Sequence, residues 1–88
     1  YLSGGGSNTE LCVNFTISKQ SNITVYYGNS TGRLVSLYKY NSEKRIGTST
    51  TGTNGTTPVS HTFTNQEAGS YSIASSSSSI IIYAIYIE

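Results

Sequence analysis

Hydrophobic and polar residues alternate along several short segments of this chain of 88 residues. In segment 11–18 the odd-numbered positions are all apolar, whereas the even-numbered positions are Cys12, Asn14, Thr16 and Ser18. A period of two residues is typical of a β-strand with one buried face. Alternation or a high content of Val, Ile, Leu and Tyr predicts strands over 11–18, 22–27, 33–40, 45–48, 59–64, 71–73 and 80–88.

Turn-forming residues separate these segments, and no window shows helical periodicity. Residues 28–32 end the second strand, residues 41–44 predict a hairpin turn, and a polar loop precedes Pro58. Segment 67–71 has the spacing of a tyrosine corner, in which a tyrosine hydroxyl bonds back to the preceding loop. We expect Ile46 to join the core. The pattern as a whole predicts an all-β fold, an antiparallel β-sandwich of jelly-roll or immunoglobulin-like type with about seven short strands.

Composition indicates a folded domain with few charges rather than a disordered one. Serine and threonine supply 28 positions, charged residues are only 10% of the chain, and there are eight Tyr and two Phe. A net charge of +1 from five dispersed Lys and Arg argues against nucleic acid as a partner. The apolar run near the end is far shorter than the roughly 20 residues of a membrane-spanning helix, which argues against a membrane.

We expect residues 1–88 to be a single module of a longer protein, because the chain starts without methionine and stops at the end of a strand. The abundance of Thr, Ser, Asn, Gly and Tyr suits a secreted, extracellular bacterial protein that works on sugars. Cys12 is the one cysteine, which excludes an intramolecular disulfide and favours a half-buried, unreactive thiol.

Residues suited to catalysis or metal binding do not form a recognisable group. The chain has no Asp, and its four Glu lie in separate turns and termini, at Glu10, Glu43, Glu67 and Glu88. His61 alternates with Val59 and Phe63, which favours a place at the edge of the core, and no flanking motif supports a nucleophile pair of Cys12 with His61. We therefore predict no enzyme, no catalytic residue, no metal site and no cofactor.

Tyrosines are the best candidates for ligand contact, since a phenol ring can stack on a sugar and its hydroxyl can bond to sugar hydroxyls. Five are expected on strand faces that the core does not need: Tyr26, Tyr38, Tyr40, Tyr83 and Tyr86. Tyrosine is also common in strands for structural reasons. We predict stacking by Tyr38, Tyr40, Tyr83 and Tyr86, with Arg33, Lys39 and Arg45 as polar or charged partners of an acidic sugar polymer. Lys44 lies nearby in the sequence.

Four segments together resemble the β-sandwich modules that are attached to bacterial pectate lyases and other plant cell-wall-degrading enzymes. They are residues 22–28 (NITVYYG), 33–38 (RLVSLY), 67–73 (EAGSYSI) and 79–88 (SIIIYAIYIE). The resemblance implies a noncatalytic carbohydrate-binding module with a jelly-roll-like sandwich, which holds a covalently linked catalytic domain on pectic or xylan-type polysaccharide. A structural spacer packed against a catalytic or adhesive domain is the second hypothesis, and a small enzyme is the third.

Overall fold

Seven β-strands make up the fold. The computed structural model describes residues 13–29, 31–40, 45–75 and 80–88, and none of them is in a helix. The strands are β1 Val13–Ile17, β2 Ser21–Gly28, β3 Val35–Lys39, β4 Arg45–Thr48, β5 Val59–Gln66, β6 Gly69–Ser75 and β7 Ile81–Ile87. Each overlaps a segment that the sequence pattern predicts as a strand, so the prediction of an all-β fold is confirmed.

The strands form two antiparallel sheets with the orders β1-β6-β3-β4 and β5-β2-β7. Both sheets contribute apolar side chains to one core, which contains Ile17, Ile23, Val25, Tyr27, Val35, Leu37, Phe63, Tyr71, Ile73 and Ile80. Within each strand these residues are two positions apart, which places them on a single face. The two sheets therefore bury their inner faces against each other as a β-sandwich.

Strand pairing places β7 at an edge. The pairs β2–β5 and β3–β6 are those of an immunoglobulin-like sandwich. In that fold the first strand pairs with the second and the last with the sixth, whereas here β1 pairs with β6 and β7 pairs with β2. The exposed face of the three-stranded sheet is thus built from β5, β2 and β7.

A tyrosine corner joins β5 to β6, as the sequence predicts. The hydroxyl of the buried Tyr71 donates a hydrogen bond to the backbone oxygen of Glu67 at 2.6 Å. It also accepts a hydrogen bond of 3.3 Å from Nζ of Lys39, whose ammonium lies 4.6 Å from the centre of the Tyr71 ring. These contacts hold the turn before β6 against the end of β3.

The loop of residues 49–57 is anchored to the core. Tyr27 donates its hydroxyl to the backbone oxygen of Thr51, and burial raises the pKa of Tyr27 above its usual value. The hydroxyl of Ser49, itself buried, accepts a hydrogen bond of 3.0 Å from the backbone N–H of Val35. The loop is therefore held in place at the end of the sandwich.

The expectation that Ile46 joins the core is wrong, because its side chain is exposed. Gly47 pairs with Leu37, whose side chain points inward, and the register shift that follows this pair passes over Ile46. Gly47 accordingly faces the core, where a Cβ atom would lie 3.6 Å from the Phe63 ring.

Candidate functional site

The two faces of β2 differ sharply in character. Ile23, Val25 and Tyr27 point into the core, and the side chains between them point to solvent. Of the outward side chains, Tyr26 is the largest and is partly exposed. This alternation could have identified Tyr26 as a site residue, although our predicted stacking set leaves it out.

Strand β7 adds two more tyrosines to the same face through a β-bulge. Ile85 pairs with Val25 and Ala84 with Tyr26, but the next β2 residue, Tyr27, pairs with Ile82. Tyr83 is the additional residue at this point, and a bulge of this kind shifts the alternation of the strand by one position. As a result Ile82 and Ile85 both pack against the core.

The exposed side of the three-stranded sheet therefore bears Tyr26, Tyr83 and Tyr86, and we call it the tyrosine face. Their side chains are 37%, 44% and 54% exposed, respectively. The rings of Tyr26 and Tyr86 meet edge to face, with centroids 5.6 Å apart and an interplanar angle of 87°. These two rings form a step rather than one continuous plane, so a ligand can meet one ring flat and the other at its edge.

Tyr83 is fixed at the other end of the tyrosine face. Its hydroxyl donates a hydrogen bond of 3.1 Å to the backbone oxygen of Thr56 in the anchored loop. Its ring lies over Gly28, where an added Cβ atom would come within 2.8 Å of ring carbon Cε2. Glycine at position 28 thus permits the ring to lie close to the sheet.

Hydroxyl and amide groups surround the three rings. Thr24 and Thr62 form a side-chain hydrogen bond of 2.8 Å across β2 and β5. Oδ1 of Asn22 accepts a hydrogen bond of 3.0 Å from the backbone N–H of Asn65. Because these groups are exposed and neutral, the tyrosine face combines apolar ring surface with uncharged hydrogen-bonding groups. That combination suits a ligand with the alternating C–H and hydroxyl surface of a sugar.

Tyr38 is the main correction to the predicted stacking set. Its side chain is only 2% exposed, so no ligand can stack on it. Alternation places it on the outer side of β3 with Ser36, but Ser36 is also fully buried, and so is Ser72, which pairs with Tyr38 on β6. A side chain that points outward from this sheet is therefore not always exposed to solvent.

Tyr40 is exposed, but it lies away from the tyrosine face. It follows β3, and its backbone N–H donates a hydrogen bond of 3.0 Å to the oxygen of Ser70 on β6. Beside it is a shallow groove of about 200 Å³ that is also lined by Asn14 and Thr16 of β1. Tyr40 and the pair Tyr83 and Tyr86 thus belong to different sheets, and the expected single cluster of four tyrosines is not formed.

The three predicted cationic partners also lie elsewhere. Nζ of Lys39 is 2.8 Å from Oε1 of Glu67. The hydrogen bond with Glu67 raises the pKa of Lys39 and lowers that of Glu67. Arg45 begins β4, an edge strand of the four-stranded sheet. Arg33 lies between β2 and β3, where its backbone is hydrogen-bonded to Thr53. None of the three is in a strand of the sheet that bears the tyrosine face.

His61 occupies the edge of the core, as predicted. Its ring meets the Phe63 ring edge to face, with centroids 4.6 Å apart. Nδ1 accepts a long hydrogen bond of 3.5 Å from the backbone N–H of Thr50, and partial burial lowers the pKa of His61. Cys12, Glu10, Glu43 and Lys44 lie outside the described residues.

Two other features are absent from the described residues. These residues contain no group of three or more His, Cys, Asp and Glu side chains that could hold a metal ion. In the same parts of the chain, no helix has the length and apolar character needed to cross a membrane.

Comparisons with known proteins do not place this chain in a family. No model of a known protein family matches it, and no match is found among curated protein sequences.

Proposed function

We propose that this chain is a noncatalytic carbohydrate-binding module, secreted as part of a polysaccharide-degrading enzyme that it anchors to plant cell-wall polysaccharide. The ligand is a pectic or xylan-type glycan, as the resemblance of four sequence segments to such modules implies. The observation that carries the proposal is the presence of Tyr26, Tyr83 and Tyr86 on one exposed sheet face.

Stacking supplies the first part of this binding. A tyrosine ring presents a flat apolar surface to the C–H groups of a pyranose, and it loses little conformational entropy because it has few rotatable bonds. The ring of Tyr83 lies close to the sheet over Gly28, and its hydrogen bond to Thr56 holds it in this position. A ring that is already in position reduces the entropy cost of binding.

Hydrogen bonding supplies the second part. The hydroxyls of Tyr26 and Tyr86, together with the pair of Thr24 and Thr62, offer donors and acceptors along β2, β5 and β7. Binding through such contacts is expected to be weak for each sugar unit. A module that binds weakly is still useful, because it raises the local concentration of an attached catalytic domain at the polysaccharide.

A retention assay tests this function. The protein is passed over beads that carry xylan, arabinoxylan, polygalacturonate, glucan or mannan. The variants Tyr86→Ala and Tyr40→Ala form a matched pair, because these side chains are 54% and 56% exposed but belong to different sheets. We expect retention on at least one polysaccharide, loss of retention with Tyr86→Ala, and no change with Tyr40→Ala. Absence of retention on every bead would contradict the proposal.

A structural spacer is the second candidate, and it is favoured by exposed apolar side chains at two edge strands. Ile46 of β4 and Ile87 of β7 are both exposed, and exposed apolar groups can mark a surface that packs against a neighbouring domain. The same bead assay separates the two functions, because a spacer is retained on none of the polysaccharides.

A further inference from the structure

The lack of charged side chains on the strands of the tyrosine face narrows the class of glycan that it can bind. This inference rests on the proposed function. By register, the outward side chains of β5, β2 and β7 are Ser60, Thr62, Thr24, Tyr26, Ala84, Tyr86 and Ile81, with Tyr83 at the bulge. At the register shift between β2 and β5, Asn22, Thr64 and Asn65 are exposed as well. None of these carries a charge. Recognition of a uronate chain relies on charge-assisted hydrogen bonds from Arg or Lys to carboxylates, and these strands supply no such donor.

Cations on the opposite sheet are too distant to replace them. Lys39 is in β3 and Arg45 is in β4, both in the four-stranded sheet. Packed sheets lie about 10 Å apart, which is far beyond the roughly 3 Å of a hydrogen bond. Neither side chain can therefore donate a charge-assisted hydrogen bond to a glycan on the tyrosine face. Lys39 is, in addition, paired with Glu67.

Charges at the end of the tyrosine face are mixed in sign. Glu88 follows Tyr86 by two residues, and its backbone N–H donates a hydrogen bond of 2.9 Å to the oxygen of Asn22. Its carboxylate is exposed at the end of β7. Lys19 lies in the turn before β2, where its backbone oxygen accepts a hydrogen bond from the hydroxyl of Ser21. One negative and one positive side chain near this end give no net attraction for a polyanion.

We infer that the tyrosine face selects an uncharged glycan chain over a uronate polymer. Stacking on Tyr26, Tyr83 and Tyr86 and neutral hydrogen bonds supply the affinity, and they act on any pyranose. A chain of carboxylates gains no ion pair on this face, and it must also shed water from its charged groups at a cost in free energy. The neutral chain is therefore preferred.

Titration calorimetry with defined oligosaccharides tests the inference. The probes are xylohexaose, cellohexaose and mannohexaose as neutral chains, and hexagalacturonate as the acidic chain, each at about 20 mM and about 200 mM salt. We expect at least one neutral chain to bind about tenfold more tightly than hexagalacturonate. Its affinity is expected to be equal at both salt concentrations and to be reduced by Tyr86→Ala.

The cation variants Lys19→Gln, Arg33→Gln and Arg45→Gln are the controls, and the inference predicts unchanged affinity in all three. Arg33 is included because its backbone is bonded to Thr53, in the loop that also holds Tyr83. Tighter binding of hexagalacturonate, weakened by salt and by any cation variant, would overturn the inference. If that binding were also lost with Tyr86→Ala, the proposed function would stand while the ligand class would be wrong. If none of the probes binds and the bead panel is also empty, both proposals fail.

Discussion

The ring of Tyr83 lies directly over Gly28, so close that a Cβ atom on Gly28 would meet ring carbon Cε2 at 2.8 Å. We predict that Gly28→Ala displaces this ring and breaks its hydrogen bond to Thr56. Alanine is better than glycine in a strand by about 0.5–1 kcal/mol, which offsets a lost hydrogen bond of about 0.5–1.5 kcal/mol. Stability should thus change little, whereas glycan affinity in calorimetry should fall several-fold.

Gly47→Ala is the control for this change, because its Cβ atom would lie at an ordinary 3.6 Å from the Phe63 ring. Gly47 belongs to β4 of the other sheet, so glycan affinity should stay at the wild-type value. Equal affinity in Gly28→Ala and wild type would show that the position of the Tyr83 ring does not matter for binding.

Tyr38 and Tyr40 are two residues apart and should respond to alanine in opposite ways. Tyr38 is buried, so Tyr38→Ala should lower the free energy of unfolding by about 3–5 kcal/mol through cavity formation. Tyr40 is exposed, so Tyr40→Ala should change it by no more than about 0.5 kcal/mol. Urea unfolding measures both values. Equal losses in the two variants would contradict the assigned burial.

The hydroxyl of Tyr71 is predicted to stabilise the turn before β6. Tyr71→Phe removes the donor to the backbone oxygen of Glu67, and a polar atom left without its partner costs about 1–3 kcal/mol. Tyr86→Phe removes an exposed hydroxyl and should cost at most about 0.5 kcal/mol. If the two variants unfold at the same urea concentration, the tyrosine corner does not contribute to stability.

Stability should depend on pH through His61. Partial burial lowers its folded-state pKa below the ordinary value of 6.5, so the unfolded chain binds more protons between these two values. The free energy of unfolding is therefore expected to contain the whole contribution of neutral His61 above pH 6.5. It is expected to fall as the pH drops towards the folded-state pKa. Urea unfolding between about pH 5.5 and 7.5 measures this. His61→Asn should remove the decline, and an unchanged decline would assign it to another group.

Strand positions could be predicted from the sequence because burial of one face imposes a period of two residues. The tyrosine corner was also predictable, since it depends on the local spacing of Glu67 and Tyr71. The burial of Tyr38 was not predictable, because polar and apolar residues on both sides of β3 are buried. A local pattern cannot reveal that a second face is covered.

The candidate site was only partly predictable for a different reason. Tyr83 and Tyr86 are three residues apart, so strict alternation puts them on opposite sides of β7. Only the bulge opposite Tyr26 and Tyr27 brings both to the exposed side. Assignment of Arg45 to the other sheet likewise depends on which strands pair, and strand pairing joins residues that are distant in the sequence.

The central claim is that a glycan binds to the tyrosine face, and nuclear magnetic resonance of the protein with carbon-13-labelled tyrosine tests it most directly. The best-retained neutral oligosaccharide is titrated in, and ring signals are assigned by single Tyr→Phe variants. We predict that the signals of Tyr26, Tyr83 and Tyr86 shift together at one dissociation constant, while those of Tyr27, Tyr40 and Tyr71 do not move. Shifts confined to Tyr40, or none at any ring, would contradict the account.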